Sequence, residues 1–325
     1  MNDARLPAWG VRRVLLAVPV ILGVTTLTFA LVHAAPGDPI YLLAGDGGSP
    51  AYYAEMRAKY GLDRPLPEQF VRYAGAVLSG DLGHSFMYQA PVARVIAQHL
   101  PASLLLGTAA LALATIAGAL LGLAAAFAGP RSLDAAIRAF SSVAYAAPVF
   151  WTGQVLIIVA AVHLGWLPVG GMTSARSAHE GLGWTLDVAR HLVLPAITLS
   201  LPFMAVVTRV ARAGVLEAVR EPFVLAARAR GAAPARVVAR HAAPNAAVPV
   251  VALVGEHAAG LVAGAALTEA LVGWPGLGYL VLHASLHRDY PLVTGAFIVI
   301  SAAVVLFNAL TDLLCAWLDP RIRLA

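Results

Sequence analysis

The sequence predicts an all-α integral membrane protein of about six transmembrane helices, and three observations lead there. Hydrophobic residues make up 60% of the 325-residue chain and charged residues only 12%, with a mean hydropathy of +0.78. A soluble domain carries about 25% charged residues, so this chain cannot cover its own surface in water and must present apolar surface to lipid. Long uncharged stretches recur along the chain, and arginines gather in the segments between them.

The first stretch follows Arg12 and Arg13, and Val14 to Val32 has the length a helix needs to cross about 30 Å of hydrocarbon, roughly 20 residues. A cleaved signal peptide has an apolar core of only about 7–15 residues, so an uncleaved first helix is expected. Further uncharged runs lie between Arg94 and Arg131, between Arg138 and Arg176, and between Arg190 and Arg209. A fifth runs from Ala246 to Val272 and holds Glu256 and Glu269, and a sixth lies between Asp289 and Asp312. Pro195 and Pro202 fall in the fourth run, where neighbouring helices can re-satisfy the carbonyls they free.

Positive charge sets the expected orientation. With the N-terminus inside, 14 of the 22 Lys and Arg residues fall in cytoplasmic pieces, seven of them between Arg209 and Arg240. Cytoplasmic loops carry such an excess, so both termini are expected in the cytoplasm. The same pattern accounts for the net charge of +5 without a nucleic-acid partner.

The outer piece from Pro36 to Gln98 is too long for a plain loop and reads as a small extracytoplasmic helical cap. Pro50 opens a helix that Gly61 closes, and Pro67 opens another that Gly80 closes. From Pro91 to His99, Val92, Val95 and Ile96 share one face, as in a short helix lying in the membrane interface. The expected division is therefore 1–98, first helix plus outer segment, and 99–325, a five-helix transmembrane domain with a cytoplasmic hairpin at about 221–244.

That hairpin is the most informative stretch. Pro222 begins a helix that Gly231 ends, and Pro234 begins a second that Pro244 stops. Phe223, Ala226, Ala227 and Arg230 fall on one stripe at helical spacing. The alanines admit a close approach, Phe223 offers an anchor and Arg230 a charge, a pattern suited to plugging into a partner's groove.

The segment resembles the EAA loop of ABC importer permeases, which docks on cytoplasmic ATPase subunits. Ala226, Ala227 and Gly231 fall at the motif's spacing and Pro244 matches its closing proline, while Leu225 stands where the namesake glutamate would be. Pro36-Gly37-Asp38-Pro39, Gly61-Leu62-Asp63-Arg64-Pro65 and Gly80-Asp81-Leu82-Gly83-His84-Ser85-Phe86 are similar to signatures of the dipeptide/oligopeptide permease branch. So are Leu164-Gly165-Trp166-Leu167-Pro168, Glu269 with Trp274-Pro275-Gly276-Leu277-Gly278, and Leu318-Asp319-Pro320-Arg321. The resemblance covers nearly the whole chain. It implies a type I ABC importer permease fold in a prokaryotic cell membrane, a heterodimer with a second homologous permease, two cytoplasmic ATPases and an extracytoplasmic solute-binding protein. Among such permeases this chain would be the one with the larger outer segment.

Other constellations point to no enzyme. Lys59, the only lysine, follows no Gly-rich turn, so the chain lacks a P-loop. Cys315 is the only cysteine, which excludes an intrachain disulfide or a cysteine metal cluster. Gly273, Gly276 and Gly278 open no βαβ unit and read as an outer turn, not a dinucleotide fingerprint. His179-Glu180 lacks a second zincin histidine, and His283 with His287 lacks an acidic third ligand. No cofactor or metal is expected.

An acid inside a span costs about 2.5–3.5 kcal/mol on insertion scales, so it faces a bundle interior or a wet path. Glu256, His257 and Glu269 are therefore candidates for the translocation path, with Glu269, nearer the outer end, alternatively paired to a neighbour. The competing function is an ion-coupled secondary transporter using Glu256 and Glu269. Against it stand the missing internal repeat and the basic hairpin, which such a carrier does not need.

Overall fold

The structure is a computed structural model and describes residues 5–34, 48–60, 62–127, 131–174, 180–237, 240 and 243–318. The expected Gly61 stop, the Pro36–Pro39 signature and the terminal 319–323 segment lie outside the described residues. Helices dominate: α1 Arg5–Ala34, α2 Pro50–Tyr60, α3 Leu66–Leu78, α4 Val92–Phe127, α5 Arg131–Ala146, α6 Val149–Leu156 and α7 Leu182–Ala218. They are followed by α8 Pro222–Ala229, α9 Pro234–Val237, α10 Ala243–Gly264, α11 Ala266–Val272, α12 Leu277–Leu286 and α13 Tyr290–Leu318. A π-helical segment, Ile157–His163, continues α6, and two short antiparallel strands, β1 His84–Ser85 and β2 Ala90–Pro91, form a hairpin.

Among the described residues three helices are long and apolar enough to cross a membrane: α4, α7 and Tyr290–Leu313 of α13. A fourth crossing arises if α5 and the Val149–His163 helix count together as one broken span. Apolar Leu15–Leu31 and Leu277–Leu286 are shorter. Each of the six uncharged runs contains helix, but three differ in outline from the sequence expectation. The third breaks at Ala147-Pro148, where the two halves bend by 109°. Pro148 donates no amide hydrogen bond and pushes the preceding residue out of the helical region, which ends α5. Arg138, taken as a boundary, lies inside α5. The fourth becomes one 37-residue helix that runs through Pro195 and Pro202. The fifth divides at Ala265 into α10 and α11.

The chain forms two compact units, Asn2–Pro101 with Tyr279–Val305, and Ala102–Gly278 with Leu306–Ala325. In the first, α3 lies on the end of α1 through Phe29, Phe70 and Tyr73, with Phe29–Phe70 ring centroids 5.4 Å apart. Gly80 closes α3 in the left-handed conformation at φ +85°. The expected interfacial helix at Pro91–His99 is instead the opening turns of α4. Its shared face is as expected, since Val92, Val95 and Ile96 are buried. Val92 and Ile96 border Gly295, where any β-carbon would collide. The Ser85 hydroxyl donates to Asp289 at 2.5 Å, the Met87 amide donates to the same carboxylate oxygen, and Asp289 caps the start of α13 at Leu292.

In the second unit α7 is the central rod. Gly118 and Gly122 of α4 let that backbone approach α7 at Met204, Val207, Thr208 and Ala211, where added β-carbons would fall 2.7–2.9 Å from α7 atoms. Two apolar clusters fill the unit, one around Leu106, Ile157, Leu194 and Trp274 and one around Ala114, Phe203, Val207 and Val250.

Candidate coupling hairpin and a buried glutamate

The hairpin follows from its punctuation. Only three residues, Val219–Glu221, separate α7 from α8; their amides donate back to Val215, Glu217 and Ala218, and Val224 donates to Glu221. Proline at the start of α8 and of α9 fixes φ without sacrificing a helical donor. Gly231 lies between them at φ +80°, a conformation in which a β-carbon is costly, so the chain reverses there. Pro244 stands in the first turn of α10 and so opens that helix; the expected course of the second hairpin helix from 238 to 242 lies outside the described residues, Arg240 apart.

The expected stripe divides in two. Phe223 (41% exposed), Ala226 and Arg230 face outward. Ala227 is 3% exposed and packs with Val224 and Val237, closing α8 onto α9. Ala227 is thus an internal contact of the hairpin, and the outward face is Phe223, Ala226 and Arg230. One helical residue turns about 100°, which leaves Ala227 at the edge of the stripe beside Val224. Burial of Val224 and Val237 turned that edge inward.

Glu256 is exposed on α10. His257 is half-buried and stacks on Phe203, with ring centroids 4.0 Å apart and planes 12° from parallel. Glu269 differs from both: it is 0% exposed and paired to its neighbours, the alternative that the sequence left open for it. The Ser103 hydroxyl donates to its Oε1 at 2.6 Å, and the Gly278 amide donates to its Oε2 at 2.7 Å. The same hydroxyl accepts from the Leu277 amide at 2.7 Å, and the Trp274 indole donates to the Ala102 carbonyl at 2.8 Å. Gly273 ends α11 in the left-handed conformation, and a β-carbon on Gly276 would overlap the Glu269 carboxylate. The Trp274–Gly278 motif is therefore a turn wrapped around a buried acid and tied to one turn of α4. Ser103 was not among the residues singled out from the sequence, because its partner lies 166 positions away and no local pattern marks it. Ser103 also borders a cavity of about 30 Å³ lined by Leu104, Thr108, Leu111, Ala258 and Phe307.

A family model described as "Binding-protein-dependent transport system inner membrane component" matches residues 118–324, and the N-terminal model of such membrane components matches 8–107. The chain belongs to this family. The Di/tripeptide transport system permease protein DppB of Pseudomonas aeruginosa (strain UCBPP-PA14) is 38% identical over 96% of this chain and 97% of its own. DppB of Escherichia coli (strain K12), the dipeptide transport system permease protein, is 37% identical over the same shares. The oligopeptide transport system permease protein AppB of Bacillus subtilis (strain 168) is 34% identical over 98% of this chain and 100% of its own. The fold is also that of solved ABC transporters. An inward-facing MetNI methionine transporter chain matches with a TM-score of 0.56 at 16% identity, over 69% of this chain and 96% of that one. An amino acid ABC transporter matches with a TM-score of 0.51 at 16% identity, over 71% and 95%.

The permease is thus the membrane component of a binding-protein-dependent ABC importer, a system that includes an ATPase and a solute-binding protein. Family membership agrees with the resemblance read from the motifs and leaves the ion-coupled secondary carrier without support.

Proposed function

We propose that this permease carries di- or oligopeptides inward as one half of a heterodimer with a second homologous permease, driven by two cytoplasmic ATPases and fed by an extracytoplasmic solute-binding protein. Peptide cargo is supported by the relatives, whose names specify di/tripeptide, dipeptide and oligopeptide transport. A second permease follows from the likeness of the motifs to the dipeptide/oligopeptide permease branch. ATP hydrolysis belongs to the partner subunits. Both termini lie in the cytoplasm, 1–98 forms the first helix with the outer segment, and 99–325 forms the transport domain.

Within this arrangement the hairpin, Pro222–Val237, docks on the ATPases. The observation that carries this reading is its build: two proline-started helices closed by a small apolar cluster, reversed at a left-handed glycine, with Phe223, Ala226 and Arg230 left outward. An exposed aromatic flanked by alanine and arginine suits a helix-in-groove contact. Glu256, exposed on α10, faces the translocation path, with His257 beside it. Glu269 shapes the unit that carries them.

The test is co-purification and ATP-driven uptake with Phe223→Asp, which puts a charge at the centre of the proposed contact. Loss of both the ATPases and uptake, with the permease pair still inserted, is the expected result. Undiminished ATPase binding and uptake would remove the hairpin from the interface.

A further inference from the structure

We propose that the Asp134–Arg212 ion pair is a positioning device for transport: it braces α5 against α7, so that a displacement of the hairpin is delivered to α5 as well as to α7. The inference rests on the reading of the hairpin as the ATPase contact.

The geometry is specific. Arg212 Nε donates to Asp134 Oδ1 at 2.7 Å and Nη2 to Oδ2 at 3.0 Å, a fork-on-fork pair between helices 78 residues apart in the chain. Two parallel charge-assisted bonds fix orientation as well as distance. The side chains are only 29% and 20% exposed, whereas Arg138, which reaches the same carboxylate at 3.3 Å, is 58% exposed. Arg64–Glu68, Arg72–Glu68 and Arg138–Asp134 each span four residues of one chain segment and brace nothing distant. One turn before Arg212, Arg209 lies over the Tyr145 ring at 4.6 Å from its centroid. Two arginines on one turn of α7 therefore hold α5 near both of its ends, at Asp134 and at Tyr145.

The mechanical setting explains why a brace matters there. The hairpin joins α7 through a three-residue link whose amides, Val219, Arg220 and Glu221, all donate back into the end of α7, so displacement at Pro222 is passed to α7 over a short, hydrogen-bonded connection. Near the hairpin, Gly214 sits against Ala246, where an added β-carbon would stand 3.2 Å from the Ala246 Cα, so α10 is closely packed on α7 there. Gly122 gives α4 the same close contact. α5 also packs along α7, burying Ile137, Ser141 and Ala144. To that apolar contact the bidentate pair adds one that fixes orientation and cannot slide without breaking. Past α5 the chain turns by 109° into Val149–His163, whose Gly153 packs on Leu271 of α11 and Thr198 of α7. Holding α5 therefore also holds the bend that follows it.

The experiment uses the full transporter reconstituted in proteoliposomes with Asp134→Ala, Arg212→Ala and the double variant. Uptake, ATP hydrolysed per solute and ATPase co-purification are measured together. Each single variant is expected to keep its ATPases and keep hydrolysing ATP, while uptake falls about ten-fold and ATP per solute rises accordingly. The double variant is expected to be no worse than either single, as for residues acting as one unit. Singles with normal uptake and normal ATP per solute would overturn the proposal, as would losses that multiply in the double variant. Loss of the ATPases themselves would also overturn it, since the pair would then support docking and not transmission. If the alanine variants do not accumulate, the near-isosteric Asp134→Asn and Arg212→Gln cycle is read in the same way. Phe223→Asp, measured alongside, separates the two ideas: should it retain its ATPases, the hairpin reading fails on its own account.

Discussion

The Glu269 turn and the Pro222–Val237 hairpin are both built from proline and glycine punctuation, yet they are held in opposite ways. Around Glu269 the hydrogen bonds are internal and buried: a hydroxyl, two backbone amides and an indole are satisfied by groups of the same unit, and Glu269 and Trp274 have no exposed surface. Among its described residues the hairpin keeps Val224, Ala227, Val237 and part of Ala232 for itself and turns an aromatic, an alanine and an arginine outward. A buried polar cluster that is fully satisfied fixes one geometry, and removing a member leaves others unpaired at a cost. Short helices are marginal on their own and gain stability from packing, here by docking. The comparison thus separates a fixed support from a contact made for a partner.

The largest expected effect lies in the fixed support. Trp274→Ala removes a fully buried indole and its hydrogen bond to the Ala102 carbonyl, and loss of such a ring costs about 3–5 kcal/mol. Thermal unfolding of the detergent-solubilised permease should show a large fall in Tm, or the protein should fail to accumulate. Wild-type-like unfolding would mean that the turn is not held as described. Glu269→Ala comes next, leaving the Gly278 amide and the Ser103 hydroxyl without their acceptor, at about 1–3 kcal/mol for each unsatisfied group. The same unfolding measurement should place it below wild type.

In the hairpin the order of consequences reverses. Gly231→Val forces a branched side chain to φ +80°, a strain of about 1–2 kcal/mol confined to the reversal. Unfolding of the permease should barely move, while ATPase co-purification and uptake should be lost. A variant that bound its ATPases normally would make the reversal dispensable. The smallest effect on stability belongs to Glu256→Leu, since an exposed site away from caps and cores usually changes stability by no more than about 0.5 kcal/mol. Uptake should nonetheless change with assembly intact. Unaltered uptake would take Glu256 off the path.

How much of this was readable in advance depended on how local the determining contact is. Pro222, Gly231 and Pro234 are local signals, and the two helix starts and the reversal they predict are observed at those residues. The inward turn of Ala227 was half-legible, because Val224 beside it is apolar but Val237, which buries both, belongs to the next helix. The break at Ala147-Pro148 had its signal in the proline, yet charge had drawn the boundary at Arg138. There Asp134 and Arg212 satisfy one another, so charged residues sit inside the helices and no longer mark their ends. Glu269 was visible as an acid in an apolar run. That it is enclosed depends on Ser103 and on the exclusion of any β-carbon at Gly276, which only the folded chain brings together. The six runs were legible as helices because hydropathy is a local average, whereas their length and continuity were decided by tertiary neighbours.

The central claim, that the outward face of the hairpin meets the ATPases, is tested most directly by placing a photoreactive residue at Ala226 and, in a second variant, at Val71. Both positions are exposed, Val71 at 68%, and they lie in the segments assigned to opposite sides of the membrane. Illumination of the assembled transporter should cross-link position 226 to an ATPase subunit and leave position 71 without an ATPase adduct. An ATPase adduct at 71 with none at 226 would contradict the account.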